Sequence, residues 1–256
     1  MRPNKALAKL KAGKVVSGPM VTFDSPSLAE HIGHMGFDFT WLDWQHGQWS
    51  EHTLNDALAR FLFLDSAPLV RVKGQEPGTI NRVLDMGAMG VIVPYIQDAD
   101  QARAAVQAAY YPPLGIRSGG GTRLALIGDP SGQGAQDYFA HANDHVMLGL
   151  MVETEYAIAR VEDIMRVPGV SFVLIGPGDL MIDVRSRGGG PDDHERLVQQ
   201  VAAASQRTGV PAGYVCPTRE SAEQRIKDGF RFINYASDNA AIQSTLREFK
   251  KHTETW

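Results

Sequence analysis

Residues 39–73 decide the fold, reading FTWLDWQ at 39–45, EHTLNDALARFLFL at 51–64 and PLVRVK at 68–73. The outer two stretches are short and almost uniformly apolar, which is typical of strands buried on both faces of a parallel sheet. The middle stretch is longer and places its apolar residues at helical spacing. The segment therefore predicts a strand, a crossover helix and a second, parallel strand.

The same alternation continues in both directions and predicts eight strands, each followed by a helix. Eight such units in 256 residues favour one closed (β/α)8 barrel, a TIM barrel spanning residues 1–256, over an open doubly wound sheet. The predicted strands are 16–23, 39–45, 68–73, 90–96, 146–153, 170–175, 211–216 and 230–235. The predicted helices are 25–36, 51–64, 77–87, 99–110, 154–166, 191–207, 218–228 and 239–251, with a solvated first helix over 5–14.

One connection is much longer than the others. The tract at 112–144 begins PPLGIRSGGG and continues polar and glycine-rich. A connection of this length inside a compact domain is usually functional. We expect it to hang over the carboxyl face of the barrel as a cover for the active site and, in part, as a subunit contact.

Composition excludes several classes of partner. Twenty-five Lys and Arg against 29 Asp and Glu give a net charge of -4, which does not provide the basic footprint that nucleic acid requires. The chain lacks the apolar core of a signal peptide and a run of about 18 apolar residues, so no membrane segment is predicted. A single cysteine, Cys216, rules out an internal disulfide and fits a reducing, cytoplasmic location.

Charged or titratable side chains stand at four of the predicted strand ends. Asp43 and His46 lie at the end of the second strand, Arg71 lies near the end of the third, Glu153 ends the fifth and Asp179 follows the sixth. Active sites of this fold lie at the carboxyl ends of the strands, and an unpaired buried charge costs several kcal/mol. The convergence predicts an active site at this face.

Glu153 and Asp179 come from neighbouring strands, and two carboxylates that lie close either share a proton or hold a cation. Oxygen ligands suit Mg²⁺ or Mn²⁺, with Co²⁺ and Zn²⁺ as further candidates. The alternative is that each carboxylate caps the following helix. No nucleotide or organic cofactor is predicted, because the dinucleotide and P-loop motifs are absent from the sequence.

Three basic side chains have alternative interpretations. His46, three residues after Asp43, could be oriented by that carboxylate as a general base, or be an inert loop residue. Arg71 could bind a substrate carboxylate or carbonyl, or pair internally with Asp43. Lys73 could form a Schiff base, although a surface lysine is the simpler interpretation.

At these residues the sequence resembles the HpcH/HpaI family of divalent-metal-dependent 2-oxo acid aldolases (class II), of the 4-hydroxy-2-oxoheptanedioate and 2-dehydro-3-deoxyglucarate aldolase type. The resemblance covers nearly the whole chain, and its specificity lies in the order and spacing of several short motifs. The motifs are LDWQHG at 42–47, VRV at 70–72, LDMGA at 84–88, VP at 93–94, YPPLGIR at 111–117, VE at 152–153 and IGPGDL at 175–180.

The resemblance implies a role for each candidate. Glu153 and Asp179 would be the metal ligands, and Arg71 would contact the ketone or enolate oxygen of pyruvate. His46, paired with Asp43, would support proton transfer, with Asp85 approaching from an adjacent subunit. Backbone amides around Gly178 and Asp179 would hold the substrate carboxylate. The family further implies a last helix packed on a neighbouring subunit, in a trimer or hexamer.

Two positions depart from the family pattern. Gln45 replaces a usual glutamate beside His46, and Met151 replaces a glutamine two residues before Glu153. These changes remove no metal ligand, but they alter the surroundings of the site.

The expected reaction is reversible cleavage of a 4-hydroxy-2-oxo acid to pyruvate or hydroxypyruvate and an aldehyde, through a metal-bound enolate. The alternatives are an acyl-CoA lyase of the citrate lyase type, a Schiff-base aldolase and a non-catalytic ligand-binding barrel.

Overall fold

The computed structural model describes residues 3–121, 123–127 and 134–254, and these contain a closed parallel barrel. Each strand pairs with the next along the chain, and the eighth pairs with the first. The strands are β1 Val16–Val21, β2 Phe39–Asp43, β3 Ala67–Arg71, β4 Gly90–Val93, β5 Met147–Val152, β6 Phe172–Ile175, β7 Ala212–Cys216 and β8 Phe232–Ser237. The predicted (β/α)8 barrel is confirmed.

Helices surround this barrel and return the chain to the start of the next strand. They are α1 Lys5–Lys11, α2 Pro26–Gly33, α3 Glu51–Arg60, α4 Pro77–Asp85, α5 Ala99–Ala109, α6 Leu124–Ile127, α7 Gly134–His145, α8 Glu155–Ile158, α9 Val161–Met165, α10 Pro177–Ser186, α11 Pro191–Thr208, α12 Arg219–Lys227 and α13 Asp238–Thr253, with a 3₁₀ turn at Phe61–Phe63. The helix predicted over 154–166 is divided into α8 and α9. Two helices, α10 and α11, follow β6 where one was predicted.

The core has two layers, one inside the barrel and one between the barrel and its helices. Inside, the ring of Phe232 stacks between those of Phe39 and Phe172, with centroid separations of 4.3 and 4.0 Å. Helix α1, which precedes β1, closes this interior layer at the amino end of the barrel, because Leu7 and Leu10 are buried in it. The expectation that the first helix is solvated is therefore wrong for one of its faces.

The described residues of the long connection at 112–144 do not cover the carboxyl face, so for them that prediction was wrong. The connection follows α5 and precedes β5, and a helix in this fold returns the chain to the amino end of the barrel. Its contacts agree: Arg117 pairs with Asp85 at the end of α4 at 2.7 Å, and Arg123 donates to the Met86 carbonyl at 2.6 Å. Residues 122 and 128–133 of the connection lie outside the described residues.

None of the helices among the described residues is long and apolar enough to cross a membrane.

Candidate active site

Asp43 and Arg71 stand opposite each other in the register of β2 and β3, at the carboxyl ends of those strands. The Arg71 Nε donates to Asp43 Oδ1 at 2.8 Å and its Nη2 donates to Oδ2 at 2.6 Å. Both residues are buried. The internal ion pair that the sequence left open as an alternative is therefore formed, in the bidentate geometry that is strongest for Arg and carboxylate.

This pairing leaves the third guanidinium nitrogen of Arg71 uncommitted to a carboxylate. Its Nη1 lies 3.7 Å from the Met151 sulfur, which is a weak acceptor. The guanidinium also lies over the Trp41 ring, 5.1 Å from its centroid. Arg71 is thus held rigidly while one of its edges stays available to a stronger acceptor.

His46 lies beside this pair, in the turn after β2, and its side chain is exposed. Its main-chain N–H donates to Asp43 Oδ1 at 3.4 Å. Within the described part of the chain, the imidazole itself makes no hydrogen bond. Asp43 therefore anchors the turn that carries His46, and the proposed proton-transfer role of the imidazole stays a prediction.

Glu153 follows β5 directly and is 3% exposed. Its Oε2 accepts the main-chain N–H of Tyr95 at 3.0 Å. Its Oε1 lies on the opposite side, against Gly176, where a Cβ would come within 2.3 Å. The cap of α8 is the Thr154 hydroxyl, which accepts the Ala157 N–H at 3.1 Å, so Glu153 is not used as the helix cap.

Asp179 is exposed in the first turn of α10 and lies close to Glu153. Burial raises the pKa of the Glu153 carboxyl to about 7. The nearby Asp179 carboxylate adds to this rise through its negative charge and through a hydrogen bond with the Glu153 side chain. The Tyr95 N–H and the Arg71 charge act in the opposite direction. Two carboxyl groups with mutually unfavourable charges face each other here.

The start of α10 is open to a ligand. Gly176 precedes the helix without capping it through a side chain, and Pro177 occupies the first turn. A Cβ built on Gly178 would meet no atom within 4 Å, so the outer side of this first turn is open. Amides at a helix N-terminus bind anions because they have no partner within the helix.

Outer contacts connect α10 to its neighbours. The Asp183 carboxylate, one turn after Asp179, accepts the Glu155 N–H at 2.9 Å and so joins α10 to the segment after β5. The His194 Nε2 lies 3.2 Å from the Pro177 carbonyl oxygen. The two carboxylate-bearing segments are therefore fixed relative to each other.

The donor set at Glu153 and Asp179 fits a hard divalent cation. Among the described residues no cluster of three or more His, Cys, Asp or Glu side chains is present, so the protein ligands would be this pair alone. Two carboxylates with remaining positions left to water and substrate are what Mg²⁺ commonly uses. The unfavourable proximity of the two carboxyl groups is the feature that a cation would relieve.

The other two candidate residues, Asp85 and Lys73, lie away from Glu153 and Asp179. Asp85 ends α4, at the amino end of the barrel, and it pairs there with Arg117. It cannot approach His46 of its own chain. The Lys73 side chain is exposed, and its Nζ lies 4.5 Å from the centroid of the Trp44 ring.

The sequence does not indicate the part that Tyr95 plays at this site, and the bounds of α10 were not predicted. Tyr95, whose N–H holds Glu153, has a left-handed backbone with φ 59°, and its side chain gives no signal of this. Helix α10 was not delimited, although Pro177 at its start followed by an acidic residue is a recognised beginning of a helix.

The family model described as HpcH/HpaI aldolase/citrate lyase matches residues 18–244 of the chain. Among curated proteins, the chain is 34% identical over 242 residues to the 2-dehydro-3,6-dideoxy-6-sulfogluconate aldolase of Pseudomonas putida, covering 93% of this chain and 92% of that protein. It is 32% identical over 254 residues to the 5-keto-4-deoxy-D-glucarate aldolase of Klebsiella pneumoniae subsp. pneumoniae, covering 97% and 98% of the two chains.

Among solved structures, the fold is similar to a HpcH/HpaI aldolase/citrate lyase family protein from Burkholderia cenocepacia J2315. The TM-score is 0.88 at 27% sequence identity, over 98% of this chain and 99% of that one.

Proposed function

This chain belongs to the HpcH/HpaI aldolase/citrate lyase family and is an aldolase, and from that premise we propose that it cleaves 4-hydroxy-2-oxo acids reversibly to pyruvate or hydroxypyruvate and an aldehyde. The family is generally dependent on a divalent metal. Both curated relatives are aldolases by name, which supports this class of carbon–carbon lyase.

The observation that carries the proposal is the position of Glu153. It is a buried carboxylate fixed by the Tyr95 N–H on one side and facing Asp179 on the other. We propose that Glu153 and Asp179 hold the cation, Mg²⁺ or Mn²⁺ before Co²⁺ or Zn²⁺. Bound there, a divalent cation supplies Lewis acidity toward the 2-oxo acid.

The chain's own residues bind and orient the substrate. The amides of Gly178 and Asp179 at the start of α10 donate to the substrate carboxylate. The free Nη1 edge of Arg71 donates to the ketone oxygen, and that interaction strengthens as negative charge develops on the oxygen during cleavage. The ion pair with Asp43 keeps the guanidinium in place for this role.

Proton transfer is assigned to His46. Its imidazole takes the proton of the C4 hydroxyl as the C3–C4 bond breaks, and a proton is then delivered to C3 to give pyruvate; condensation reverses both transfers. Asp43 positions the His46 turn through the main-chain N–H. Asp85 would act at this site only from another subunit, because it lies at the far end of its own barrel.

We further propose that the protein is a cytoplasmic homo-oligomer, a trimer or hexamer, in which α13 packs on a neighbouring subunit. The apolar side chains Ile242, Leu246 and Phe249 are spaced for one face of α13 and are 41%, 57% and 58% exposed. The buried, free thiol of Cys216 is compatible with a reducing compartment.

The deciding experiment is exchange of the pyruvate methyl protons in deuterated water, followed by NMR. This detects enolate formation without knowledge of the aldehyde. Exchange should stop with a chelator and return with Mg²⁺ or Mn²⁺. It should fall at least about 100-fold in Glu153→Gln and in Asp179→Asn.

Glu155→Gln is the matched control, since Glu155 is a neighbouring half-buried acid whose side chain pairs with Arg196 rather than with the site. Exchange that continues unchanged in chelator would contradict the proposal. If pyruvate shows no exchange, hydroxypyruvate is the second donor to test. Absence of exchange with both would favour the acyl-CoA or binding-protein alternatives.

A further inference from the structure

Tyr95 has a backbone conformation that its side chain does not favour. It follows β4 and Pro94, and its φ of 59° lies in the left-handed region, which is uncommon for a bulky residue. The side chain is 55% exposed, so burial of the ring does not account for the conformation. Such outliers persist only where surrounding contacts determine them, and they concentrate at functional sites.

The main-chain hydrogen bonds explain what the conformation achieves. In an extended strand, consecutive N–H groups point toward opposite neighbouring strands. Here the N–H of Tyr95 donates to Glu153 Oε2 at 3.0 Å, and the N–H of Ile96 donates to the Met151 carbonyl at 2.9 Å. Both therefore point toward β5 and the residue that follows it. The left-handed conformation of Tyr95 allows two successive N–H groups to donate to β5 and to Glu153, which follows it.

Gln75, in the segment after β3, holds this turn from the other side. Its Nε2 donates to the Tyr95 carbonyl at 2.7 Å, with a longer contact of 3.4 Å to the Pro94 carbonyl. The Gln101 side chain on α5 also contacts Gln75 at 3.4 Å and accepts the Gln97 N–H at 2.8 Å. Gln75 thus fixes the Tyr95–Ile96 peptide through its short hydrogen bond, and its longer contact reaches the Pro94–Tyr95 peptide, which presents the N–H to Glu153.

We propose that Tyr95, through its left-handed main chain, and Gln75, through its hold on the Tyr95 carbonyl, are positioning residues for Glu153. The Tyr95 N–H donates to Oε2, and Oε1 faces Gly176, which precedes the helix that carries Asp179. This inference rests on the proposed function, because it matters only if Glu153 and Asp179 hold a cation. Partners of this kind, which orient a metal ligand without touching the metal, typically change metal affinity 10- to 100-fold when removed.

The test separates the main chain of Tyr95 from its side chain. Tyr95→Gly and Tyr95→Val both delete the phenol ring and both keep the N–H. Glycine adopts positive φ freely, whereas a β-branched residue strongly resists it. Mn²⁺ affinity of the chelator-treated, full-length oligomer is measured by calorimetry, with free Mn²⁺ followed by electron paramagnetic resonance.

We expect Tyr95→Gly to bind Mn²⁺ within about threefold of the unmodified protein, and Tyr95→Val to bind at least about tenfold more weakly. Gln75→Leu should weaken binding by a similar factor, and Gln199→Leu, a distant surface amide change on α11, should not. At saturating Mn²⁺ the pyruvate exchange of Tyr95→Val should largely recover, because the defect lies in holding the ligand. Circular dichroism and thermal unfolding check that each variant is folded.

Two outcomes overturn the inference while leaving the proposed function intact. One is Mn²⁺ binding by Tyr95→Val and Gln75→Leu at the affinity of the unmodified protein. The other is an equal loss in Tyr95→Gly and Tyr95→Val, which would assign the effect to the phenol ring. Absence of Mn²⁺ binding by the unmodified protein would overturn both proposals together.

Discussion

Asp43 and Arg71 occupy opposed positions on neighbouring strands and form two hydrogen bonds, of 2.8 and 2.6 Å, at the carboxyl end of the barrel. The pair neutralises two charges that the interior would otherwise hold at a cost of several kcal/mol each. Because Asp43 accepts the Nε–H and one Nη2–H, Arg71 can bind a substrate oxygen through Nη1 and the remaining Nη2–H. The ion pair and the substrate-binding role are therefore compatible, although the sequence presents them as alternatives.

Removing one partner of this pair should destabilise the fold. Asp43→Ala leaves the Arg71 guanidinium buried without its counterion, which typically costs about 3 kcal/mol in the free energy of unfolding. Glu51→Ala breaks the exposed pair with Arg82 and should cost under about 1 kcal/mol. Urea denaturation measures both changes, and equal losses would show that the Asp43–Arg71 pair is not a buried structural element.

Gly176 is predicted to be required because of Glu153. Its φ of -90° and ψ of 96° suit any residue, so conformational freedom is not the reason for glycine here. An alanine Cβ would lie 2.3 Å from Glu153 Oε1 and 3.0 Å from its Cδ, and the carboxylate would have to move. We expect Gly176→Ala to lower pyruvate exchange by about 100-fold.

Gly78→Ala is the matched control for that variant, since a Cβ there would meet no atom within 4 Å. Its exchange rate should equal that of the unmodified protein. Exchange in Gly176→Ala at the rate of the control would mean that α10 can move aside without disturbing the carboxylates.

The sequence predicts the barrel well because its signal is repeated. Each short apolar run is followed by a helix, and eight such repeats fix the class even where individual boundaries are inexact. The connection at 112–144 was misplaced for a different reason. Its length was recognised, but it follows a helix rather than a strand, and the connectivity of the fold puts such a segment at the amino end of the barrel.

The charged residues of the candidate site could be predicted from the sequence, but the residues that position them could not. Glu153, Asp179 and Arg71 stand out because charges are rare beside apolar strands. Tyr95 acts through an N–H that every residue except proline possesses, and its left-handed φ is set by Glu153 and Gln75, which are distant in sequence. The need for Gly176 likewise depends on a side chain from another strand.

Lys73 distinguishes this mechanism from a Schiff-base aldolase. Its ammonium lies exposed over the Trp44 ring. A Schiff-base lysine typically lies in a desolvated pocket instead. We expect borohydride with pyruvate to leave both the protein mass and the exchange activity unchanged, and Lys73→Met to keep exchange within about threefold. A reduced pyruvate adduct on Lys73 would contradict the metal-dependent mechanism.

His194 should make stability depend on pH near neutrality. Burial lowers the pKa of its imidazole and the Arg225 charge adds to that, while the Pro177 carbonyl and Glu195 oppose it. The unfolded chain, whose histidines titrate near pH 6.5, then binds the proton more tightly than the folded protein. The free energy of unfolding should therefore fall as the pH drops below about 6.5.

His194→Gln provides the comparison, because its side-chain amide can still donate to the Pro177 carbonyl and does not titrate. Urea denaturation at intervals between pH 5.5 and 7.5 should give a shallower pH dependence for this variant than for the unmodified protein. Parallel curves would show that His194 does not contribute.

Asp85 offers a test of a site shared between subunits. It ends α4 and pairs with Arg117 at the amino end of its own barrel, so any part in proton transfer beside His46 must be played in another subunit. We expect Asp85→Ala and Glu153→Gln to be inactive separately in cleavage. Unfolded together and refolded as mixed oligomers, they should regain a fraction of the activity, because some interfaces then combine an intact Asp85 with an intact Glu153. A mixture that stays inactive, or an Asp85→Ala protein that is fully active alone, would restrict catalysis to residues of one chain.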